Sequence, residues 1–381
     1  MVTSNTSTTP EQQGAQELRV GVIGLGFAGS THLDAFTALP GATVVALSGQ
    51  EPARLAELSG SRGVPDTYAD WEDLVARDDL DIVSIGVPNA LHHPIAVAAL
   101  RSGKHVFCEK PLATTAELAA EMVEAATAAD RVLEVAYNHR RRADVAYLAR
   151  YLAEEPIGRV YHSRASWLRR QGVPGIDSWF TNKTAAGGGP LIDLGSHVLD
   201  IALSLLGEPR VTHVSAVAYN ELGRAGRGGS SGGGPVSNRS SHAFDVEDFA
   251  SALLRFEDGG SLHLEASWAS YSKAHEDISV ELLGSEGGVR LHVDNYNTDG
   301  TVTIYRDVAG APTVERPTVH VPAGHHQSVI AEFLDTIRAG ERAGGELRFA
   351  GHHGEYALHR SRVIDAAYAS AAAGHEVEVS A

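Results

Sequence analysis

The sequence predicts an α/β domain with a doubly wound parallel sheet, followed by an α+β domain whose large sheet is mostly antiparallel. Three observations favour this fold class. The chain has 381 residues, which is too many for one ordinary hydrophobic core and predicts two domains. Between residues 18 and 137, helix patterns alternate with strand-like runs that are apolar on both faces. Beyond them, long strand patterns follow one another across tight glycine turns.

The first half alternates between strands and helices, as crossover connections require. A helix is predicted over residues 30–39, where Pro40 and Gly41 end it. Thr114 and Glu117 have the spacing of a capping box and predict the start of a helix over 116–129. The predicted strands are LRVGVIG (18–24), ATVVALS (42–48), DIVSIGVP (81–88), KHVFCE (104–109) and RVLEVAY (131–137).

The second half predicts hairpins at Asp258-Gly259-Gly260 and at Glu286-Gly287-Gly288. Its strand patterns are RVYHSRASWLRR (159–170), VTHVSAVAYN (211–220), DFASALLRFEDGGSLHLEASWAS (248–270) and DISVELLGSEGGVRLHV (277–293). The residues 351–374 predict a closing helix. The predicted organisation is a flexible tail (1–17), a dinucleotide-binding domain (18–138), and a substrate-binding and oligomerisation domain (139–381) with a mobile glycine-rich loop (222–241).

Composition excludes several function classes. Hydrophobic residues make up 43% and charged residues 21%, which is typical of a soluble globular protein. The net charge of −17 argues against nucleic acid or an anionic membrane as a partner, and no apolar run is long enough to span a bilayer. The single cysteine excludes an intrachain disulfide, and the first residues have neither a basic start nor an apolar run. We therefore expect a cytoplasmic protein.

The turn after the first strand has the spacing G-x-G-x-x-G, with Gly24, Gly26 and Gly29 around Phe27 and Ala28. Gly24 permits the tight turn, Gly26 lets a pyrophosphate approach the backbone, and Gly29 allows close helix–strand packing. The positive end of the following helix stabilises the phosphates. This pattern predicts a Rossmann dinucleotide site, and the alternative is an ordinary glycine-rich turn.

The end of the second strand determines which coenzyme fits. An acid is usual there, about 20 residues after the glycine turn, and it binds the ribose 2′-hydroxyl. This chain has Ser48 and Gly49 instead, so a 2′-phosphate meets no carboxylate, and Ser48 and Arg54 are available to bind it. The interpretation favours NADP over NAD. Glu51 or the backbone serves NAD in the alternative interpretation.

Lys110 follows a strand at the carboxyl edge of the predicted sheet, where ligands of such sheets bind. Pro111 restricts the backbone and permits a cis bond, which would fix the direction of the lysine. A lysine beside a cationic nicotinamide would have a lowered pKa and so could carry protons at neutral pH. The alternative is an exposed Lys-Pro turn.

Asp193 and His197 lie four residues apart in an apolar helix pattern that three glycines precede (187–189). Four residues are about one helical turn, so both side chains share a face. They either satisfy each other in a core or look into a cavity.

Two further sets of side chains are candidates to bind a ligand. Trp167, Trp179 and Tyr271 are candidates to stack on a ring of the substrate, although such residues are more often core or interface. The 19 histidines include three adjacent pairs, but adjacent residues rarely converge on one ion. We therefore expect no metal site.

Five motifs follow one another along the chain: GVIGLGFAG (21–29), IGVPNALHH (85–93), CEKPLA (108–113), YNHRR (137–141) and GGGPLIDLGSHVLDIA (187–202). With this ordered set, the chain resembles the glucose–fructose oxidoreductase/inositol dehydrogenase (Gfo/Idh/MocA) family from Arg19 to about Val377. The resemblance implies a Rossmann domain, a second domain with an open, mostly antiparallel sheet, and NAD(P)-dependent oxidation or reduction of secondary hydroxyls of sugars, sugar derivatives and polyols. It also implies a homodimer or homotetramer.

Residue by residue, the resemblance implies that Lys110 contacts both substrate and nicotinamide, and that Asp193 and His197 face the nicotinamide. Gly49 departs from the acid usual in the family. The glycine-rich segment 222–241 is a second departure, which could reshape one rim of the cleft or an oligomer contact. The residues implied to line the cofactor cleft are Pro88, Asn89, His92, Glu109, Lys110 and Asn138.

The mechanism we expect uses His197 as the general base for the hydroxyl proton, because histidine titrates near neutral pH. Lys110 would stabilise the reacting oxygen, and Asp193 would orient His197 or hold a neighbouring hydroxyl. Lys110 and His197 can exchange roles as the proton carrier. The alternatives are a glycoside-cleaving or lyase enzyme that uses a bound nicotinamide for transient oxidation, and a non-catalytic dinucleotide sensor.

Overall fold

The computed structural model describes residues 17–176, 178–229, 244–272, 275–320, 325–339 and 353–380. The expected tail lies outside the described residues except for Glu17, and the expected mobile loop lies outside them beyond position 229. Among the described residues, no helix combines the length and the apolar character that crossing a bilayer requires.

The first domain is a six-stranded parallel sheet with the order β3-β2-β1-β4-β5-β6. This order reverses direction between β1 and β4, which defines the doubly wound Rossmann arrangement. The predicted parallel α/β fold is therefore confirmed. The strands are β1 (Leu18–Ile23), β2 (Ala42–Ser48), β3 (Asp66–Tyr68), β4 (Ile82–Ile85), β5 (His105–Cys108) and β6 (Leu133–Val135).

One helix start and one helix cap differ from their predictions. Helix α1 begins at Phe27, directly after Gly26, because the glycine turn feeds straight into the helix. The cap of α5 is Thr115, whose hydroxyl accepts from the Leu118 N–H at 3.3 Å. The capping box at Thr114 and Glu117 is wrong by one residue. The helices are α1 (Phe27–Ala38), α2 (Pro52–Arg62), α3 (Trp71–Val75), α4 (His92–Arg101) and α5 (Ala116–Ala129).

The second domain is built on a nine-stranded sheet in the described residues, with the order β14-β13-β12-β11-β7-β10-β9-β8-β15. Only the β7–β10 pair is parallel, so the mostly antiparallel prediction is confirmed. Both predicted hairpins are present, joining β9 to β10 and β11 to β12. The strands are β7 (Val160–Arg169), β8 (Val211–Tyr219), β9 (Phe249–Phe256), β10 (Ser261–Ser267), β11 (Glu276–Gly284), β12 (Gly287–Asp294), β13 (Val302–Val308), β14 (Ala311–Glu315) and β15 (Val377–Glu378).

One face of this sheet packs on α8, and its side chains form the core of the second domain. A π-helical turn (Leu191–Gly195) leads directly into α8. Helix α9 instead packs on the Rossmann domain, where Phe333 joins the core beside Phe36. The boundary at residue 138 stays a prediction. The helices are α6 (Ala143–Glu154), α7 (Lys183–Ala186), α8 (Ser196–Leu205), α9 (His325–Ala339) and α10 (Glu355–Ala373).

Candidate active site

A cleft of about 360 Å³ opens where the carboxyl edge of the parallel sheet meets the inner face of the second sheet. This volume lies in the range of small-molecule sites. Its walls come from both domains and combine aromatic rings with charged groups. The lining residues include Phe27, Ala28, Asn89, Glu109, Lys110, Asn138, His139, Trp167, Arg169, Trp179, Asp193, His197 and His326.

The glycine turn forms one end of this cleft. Gly24 has φ +109°, and a Cβ there would overlap the Gly86 carbonyl. A Cβ at Gly29 would overlap the carbonyl of Gly24, whereas a Cβ at Gly26 would meet open space. The backbone is closely packed at Gly24 and Gly29 and open at Gly26. This arrangement fits a cradle that binds a pyrophosphate.

Ser48 was expected to bind a 2′-phosphate at the adenosine end of the cradle. Its side chain is buried instead, so it does not face a ligand there. A Cβ at Gly49 would overlap the Leu25 side chain, so a carboxylate at this position has no room. Arg54 lies beside the turn, with Nη2 at 3.2 Å from Oγ of Ser30. Of the two groups expected to hold a 2′-phosphate, only Arg54 is accessible.

Lys110 and Asp193 meet across the domain boundary. The lysine Nζ donates to Oδ1 of Asp193 at 2.6 Å and to its carbonyl at 3.2 Å, and the Lys110–Pro111 bond is cis. Nε1 of Trp268 donates to Oδ2 at 2.8 Å. Burial acts to raise the pKa of Asp193, but Lys110, Arg169 and the Trp268 hydrogen bond outweigh it and lower that pKa. The carboxyl therefore stays ionised.

Asp193 does not orient His197, so this part of the prediction is wrong. Lys110 and Trp268 each donate to one carboxylate oxygen, whereas Nδ1 of His197 has no partner among the described residues. Asp193 lies on the π-helical turn rather than in α8 itself. The two side chains nevertheless line the same cleft, as their spacing predicted.

His197 is buried among aromatic rings, with His139 at 4.7 Å, Trp167 at 5.6 Å and Tyr137 at 6.3 Å between centroids. Burial, then the charge of Lys110, hold the pKa of His197 well below its usual value, so the ring is neutral. Its Nδ1 is buried and has no hydrogen-bond partner among the described residues. Such an atom is destabilising until a ligand or water satisfies it.

The glycines before this turn are needed for close packing. A Cβ at Gly188 would overlap the Tyr368 hydroxyl, and one at Gly189 would overlap the Glu247 carbonyl. The carboxylate of Glu247 accepts from the Gly189 N–H at 2.9 Å and from the Leu191 N–H at 3.0 Å. Glu247 thus fixes the segment that carries Asp193. No sequence pattern indicated this role.

His92 was predicted to line the cofactor cleft, but it lies behind the cleft wall. The ring is fully buried, with Nδ1 at 2.8 Å from the Pro111 carbonyl and Nε2 at 3.0 Å from the Val87 carbonyl. It supports the wall from behind. Asn89 does line the cleft, and its amide donates to the Ala186 carbonyl at 2.8 Å. Tyr271 is highly exposed and lies outside the cleft.

Two charged clusters that the sequence did not reveal border the cleft. Oε1 of Glu109 lies 3.1 Å from Nε2 of His32 and 3.4 Å from Nε2 of His326. Glu276 binds Arg169 and Nε1 of Trp167, each at 2.6 Å. These partners are far apart in the chain, and only the packing of α1, α9 and the long strands brings them together.

Two family models match the chain in succession. One is described as the oxidoreductase family with an NAD-binding Rossmann fold and matches residues 18–137, and the other is the C-terminal domain of the same family and matches residues 145–290. The chain belongs to the GFO/IDH/MocA oxidoreductase family. The resemblance stated from the sequence is confirmed, and the protein is an oxidoreductase enzyme that uses a nicotinamide coenzyme.

The relatives that this chain matches include sugar dehydrogenases. The chain is 33% identical to D-glucoside 3-dehydrogenase of Escherichia coli, over 74% of this chain and 79% of the relative. It is 34% identical to levoglucosan dehydrogenase of Pseudarthrobacter phenanthrenivorans, over 72% and 73%. A solved levoglucosan dehydrogenase in complex with NADH and levoglucosan superposes with a TM-score of 0.80 at 28% identity, covering 96% of this chain and 100% of that one.

Proposed function

We propose that this enzyme transfers hydride between NAD(P) and a secondary hydroxyl or ketone of a sugar, sugar derivative or cyclic polyol. The observation that carries the proposal is the 2.6 Å pair of Lys110 and Asp193, which joins the two domains inside the cleft that the glycine turn borders. The relatives named above, which act on a glucoside and on levoglucosan, support the substrate class.

The proposed mechanism divides the proton work between His197 and Lys110. The nicotinamide ring, when bound beside these residues, supplies the hydride acceptor for oxidation and the hydride donor for reduction. His197 is neutral and has an unpartnered nitrogen, so it is in the state that accepts the hydroxyl proton. Lys110 donates a hydrogen bond to the same oxygen and stabilises its developing charge, while Asp193 keeps that ammonium in place.

The coenzyme is held, in this proposal, by the glycine turn at one end and by residues of the cleft wall at the other. Gly24, Gly26 and Gly29 form the cradle, with the N-terminus of α1 facing the phosphates. The wall residues assigned to this role are Phe27, Ala28, Pro88, Asn89, Glu109, Lys110 and Asn138.

Sugar recognition is assigned to the aromatic wall and Arg169. Trp179 is stacked on Phe180 with centroids 3.8 Å apart and lines the cleft with Trp167. A flat aromatic wall suits the apolar face of a sugar ring. The Arg169 guanidinium, held by Glu276, has donors for ring hydroxyls.

The adenosine end is proposed to accept NADP in preference to NAD, because Gly49 presents no carboxylate and Arg54 lies beside the turn. Arg54→Ala should lower kcat/KM for NADP about 10- to 100-fold and leave NAD almost unchanged, since a hydrogen bond to a charged group is worth about 1.5–3 kcal/mol. Arg62→Ala is the matched control on α2. Both arginines pair with a carboxylate, Arg54 with Glu57 at 2.9 Å and Arg62 with Asp34 at 2.6 Å, and Arg54 is the one that lies beside the turn. Equal losses with both coenzymes in Arg54→Ala would contradict the preference.

The deciding experiment is a panel of aldoses, glycosides and inositols assayed at about 340 nm with NAD and NADP separately. Substrate-dependent formation of reduced coenzyme supports the proposal. Product formation without net absorbance change indicates transient oxidation, and binding without turnover indicates a sensor. Transient oxidation or binding without turnover would each overturn the proposal of net hydride transfer.

Self-association and a cytoplasmic location stay predictions. The outer face of the nine-stranded sheet exposes Val217, Tyr219 and Leu253 on neighbouring strands, and we propose that a second copy covers it. Analytical ultracentrifugation of Val217→Asp should then give a smaller species than the unaltered protein.

A further inference from the structure

Three side chains beside the proposed coenzyme site converge as metal ligands do. His32 lies on α1, Glu109 follows β5, and His326 lies on α9. One ligand atom from each lies within 4.8 Å of the other two. Glu109 Oε1 is 3.1 Å from Nε2 of His32 and 3.4 Å from Nε2 of His326.

The two separations that involve Glu109 match a tetrahedral ion. Zinc binds imidazole nitrogen and carboxylate oxygen at about 2.0–2.1 Å, so two ligands of one tetrahedral ion are about 3.3 Å apart. Both nitrogen–oxygen distances lie within 0.2 Å of that value. The donor set of two imidazoles and one carboxylate is also the set that catalytic zinc sites use, where a fourth position is left for water or another ligand.

The far nitrogens of both rings have neighbours that fix ring orientation. Nδ1 of His32 is 3.0 Å from Oγ of Ser84, and Nδ1 of His326 is 3.5 Å from the side-chain amide of Asn138. Partners of this kind orient metal-binding histidines and select the tautomer. With an ion bound, each Nδ1 carries the proton, donating to the Ser84 hydroxyl and to the Asn138 amide oxygen once that amide rotates.

We propose that His32, Glu109 and His326 form a binding site for a divalent cation of the zinc class, entered from the cleft. His32 has no exposed surface, whereas the side chains of Glu109 and His326 are 12% and 20% exposed and line the cleft. An ion therefore reaches His32 past these two residues, with its fourth position toward the cleft. In the competing explanation, the same distances are hydrogen bonds from two Nε2–H groups to Oε1.

The test titrates the full-length, chelator-treated protein with Co²⁺, which stands in for zinc and absorbs visible light when tetrahedral. We expect one ion per chain with saturable visible bands. His326→Gln should weaken binding at least tenfold, as should Glu109→Gln. His93→Gln is the control, because His93 pairs with Glu121 on the surface at 2.8 Å. Circular dichroism confirms that each variant is folded.

Unsaturable binding, or equal affinity in the protein and both cleft variants, would overturn the site in favour of the hydrogen-bonded cluster.

A second experiment adds saturating NADH before Co²⁺. The location of the coenzyme rests on the proposed function, and we expect NADH to block the bands. The titration without coenzyme needs no turnover, so a protein inactive on every sugar can still bind Co²⁺, and an active one can fail to do so.

Discussion

Nζ of Lys110 lies 2.6 Å from Oδ1 of Asp193, and this ion pair links the end of β5 to the π-helical turn before α8. Both side chains are only 15% exposed. A pair this deeply buried is weakly screened by solvent, unlike a surface salt bridge. Removal of one partner leaves the other charge uncompensated beside the substrate. The pair should therefore behave as one functional unit.

Lys110→Met and Asp193→Asn should each lower kcat/KM about 10²- to 10⁴-fold, the range of a positioned acid–base group. Because the two residues act together, the double variant should be little worse than the worse single one. Steady-state kinetics of the three variants measures this. Losses that multiply would show that the residues act independently.

His197→Gln should lower kcat by about 10²- to 10⁴-fold while coenzyme binding persists. Burial and the charges of Lys110 and His139 depress the pKa of His197, so the neutral base persists as pH falls. The acid limb of kcat/KM assigned to this group should thus lie well below the ordinary histidine value of 6.5. His93→Gln is the control on a surface histidine. An acid limb near pH 8 would rule His197 out as its source.

The parts of the site that the sequence predicted are those in which chemistry and local pattern coincide. Gly24, Gly26 and Gly29 are a short-range pattern, and the turn at Gly24 and the close packing at Gly29 are as their positions indicated. The end of a strand predicts that Lys110 lies at the carboxyl edge of the sheet, and helical spacing predicts that Asp193 shares a face with His197. In each case a few neighbouring residues determine where the side chain goes.

The remaining parts depend on pairing between distant segments. Trp268 reaches Asp193 only because β10 lies beside β9 and β7 in the observed register. Glu247 is an unremarkable acid in the sequence, yet it caps the turn at Gly189. The burial of Ser48 depends on packing that the strand pattern does not specify. Such contacts follow from sheet order and register, which one sequence leaves open.

Trp268→Phe removes the Nε1 donor to Asp193 but keeps an aromatic ring in a fully buried position. The unsatisfied carboxylate oxygen should lower the free energy of unfolding by about 1–3 kcal/mol. The pKa of Asp193 should rise, because one of the groups that lower it is lost. Urea denaturation and the pH profile of kcat/KM measure both. Trp179→Phe, which does not contact Asp193, should instead act on the KM for the sugar.

Gly26→Ala and Gly29→Ala form a matched pair. A Cβ at position 26 meets open space, so this variant should fold normally but bind coenzyme more weakly, since the methyl group occupies the cradle. A Cβ at position 29 overlaps the Gly24 carbonyl, so that variant should be destabilised by about 1–3 kcal/mol or more. Thermal denaturation and NADH fluorescence titration separate the two effects. Equal stability of both variants would contradict the assigned packing.

Neutral His105 should make stability depend on pH. Its Nδ1 accepts from the Val132 N–H at 3.0 Å, and burial, then the charge of Arg131, lower its pKa to about 4. The unfolded chain, with the ordinary value of 6.5, binds more protons between these limits, so stability is full above pH 6.5 and falls as pH drops towards 4. The loss should be about 1–3 kcal/mol, since the ring is partly exposed. His105→Gln keeps a hydrogen-bond acceptor but does not titrate. Urea unfolding at pH 7 and pH 5 should therefore show a smaller loss of stability in this variant than in the unaltered protein. Some pH dependence should remain, because buried His92 and His197 also have lowered pKa values. An unchanged loss would mean that His105 does not carry it.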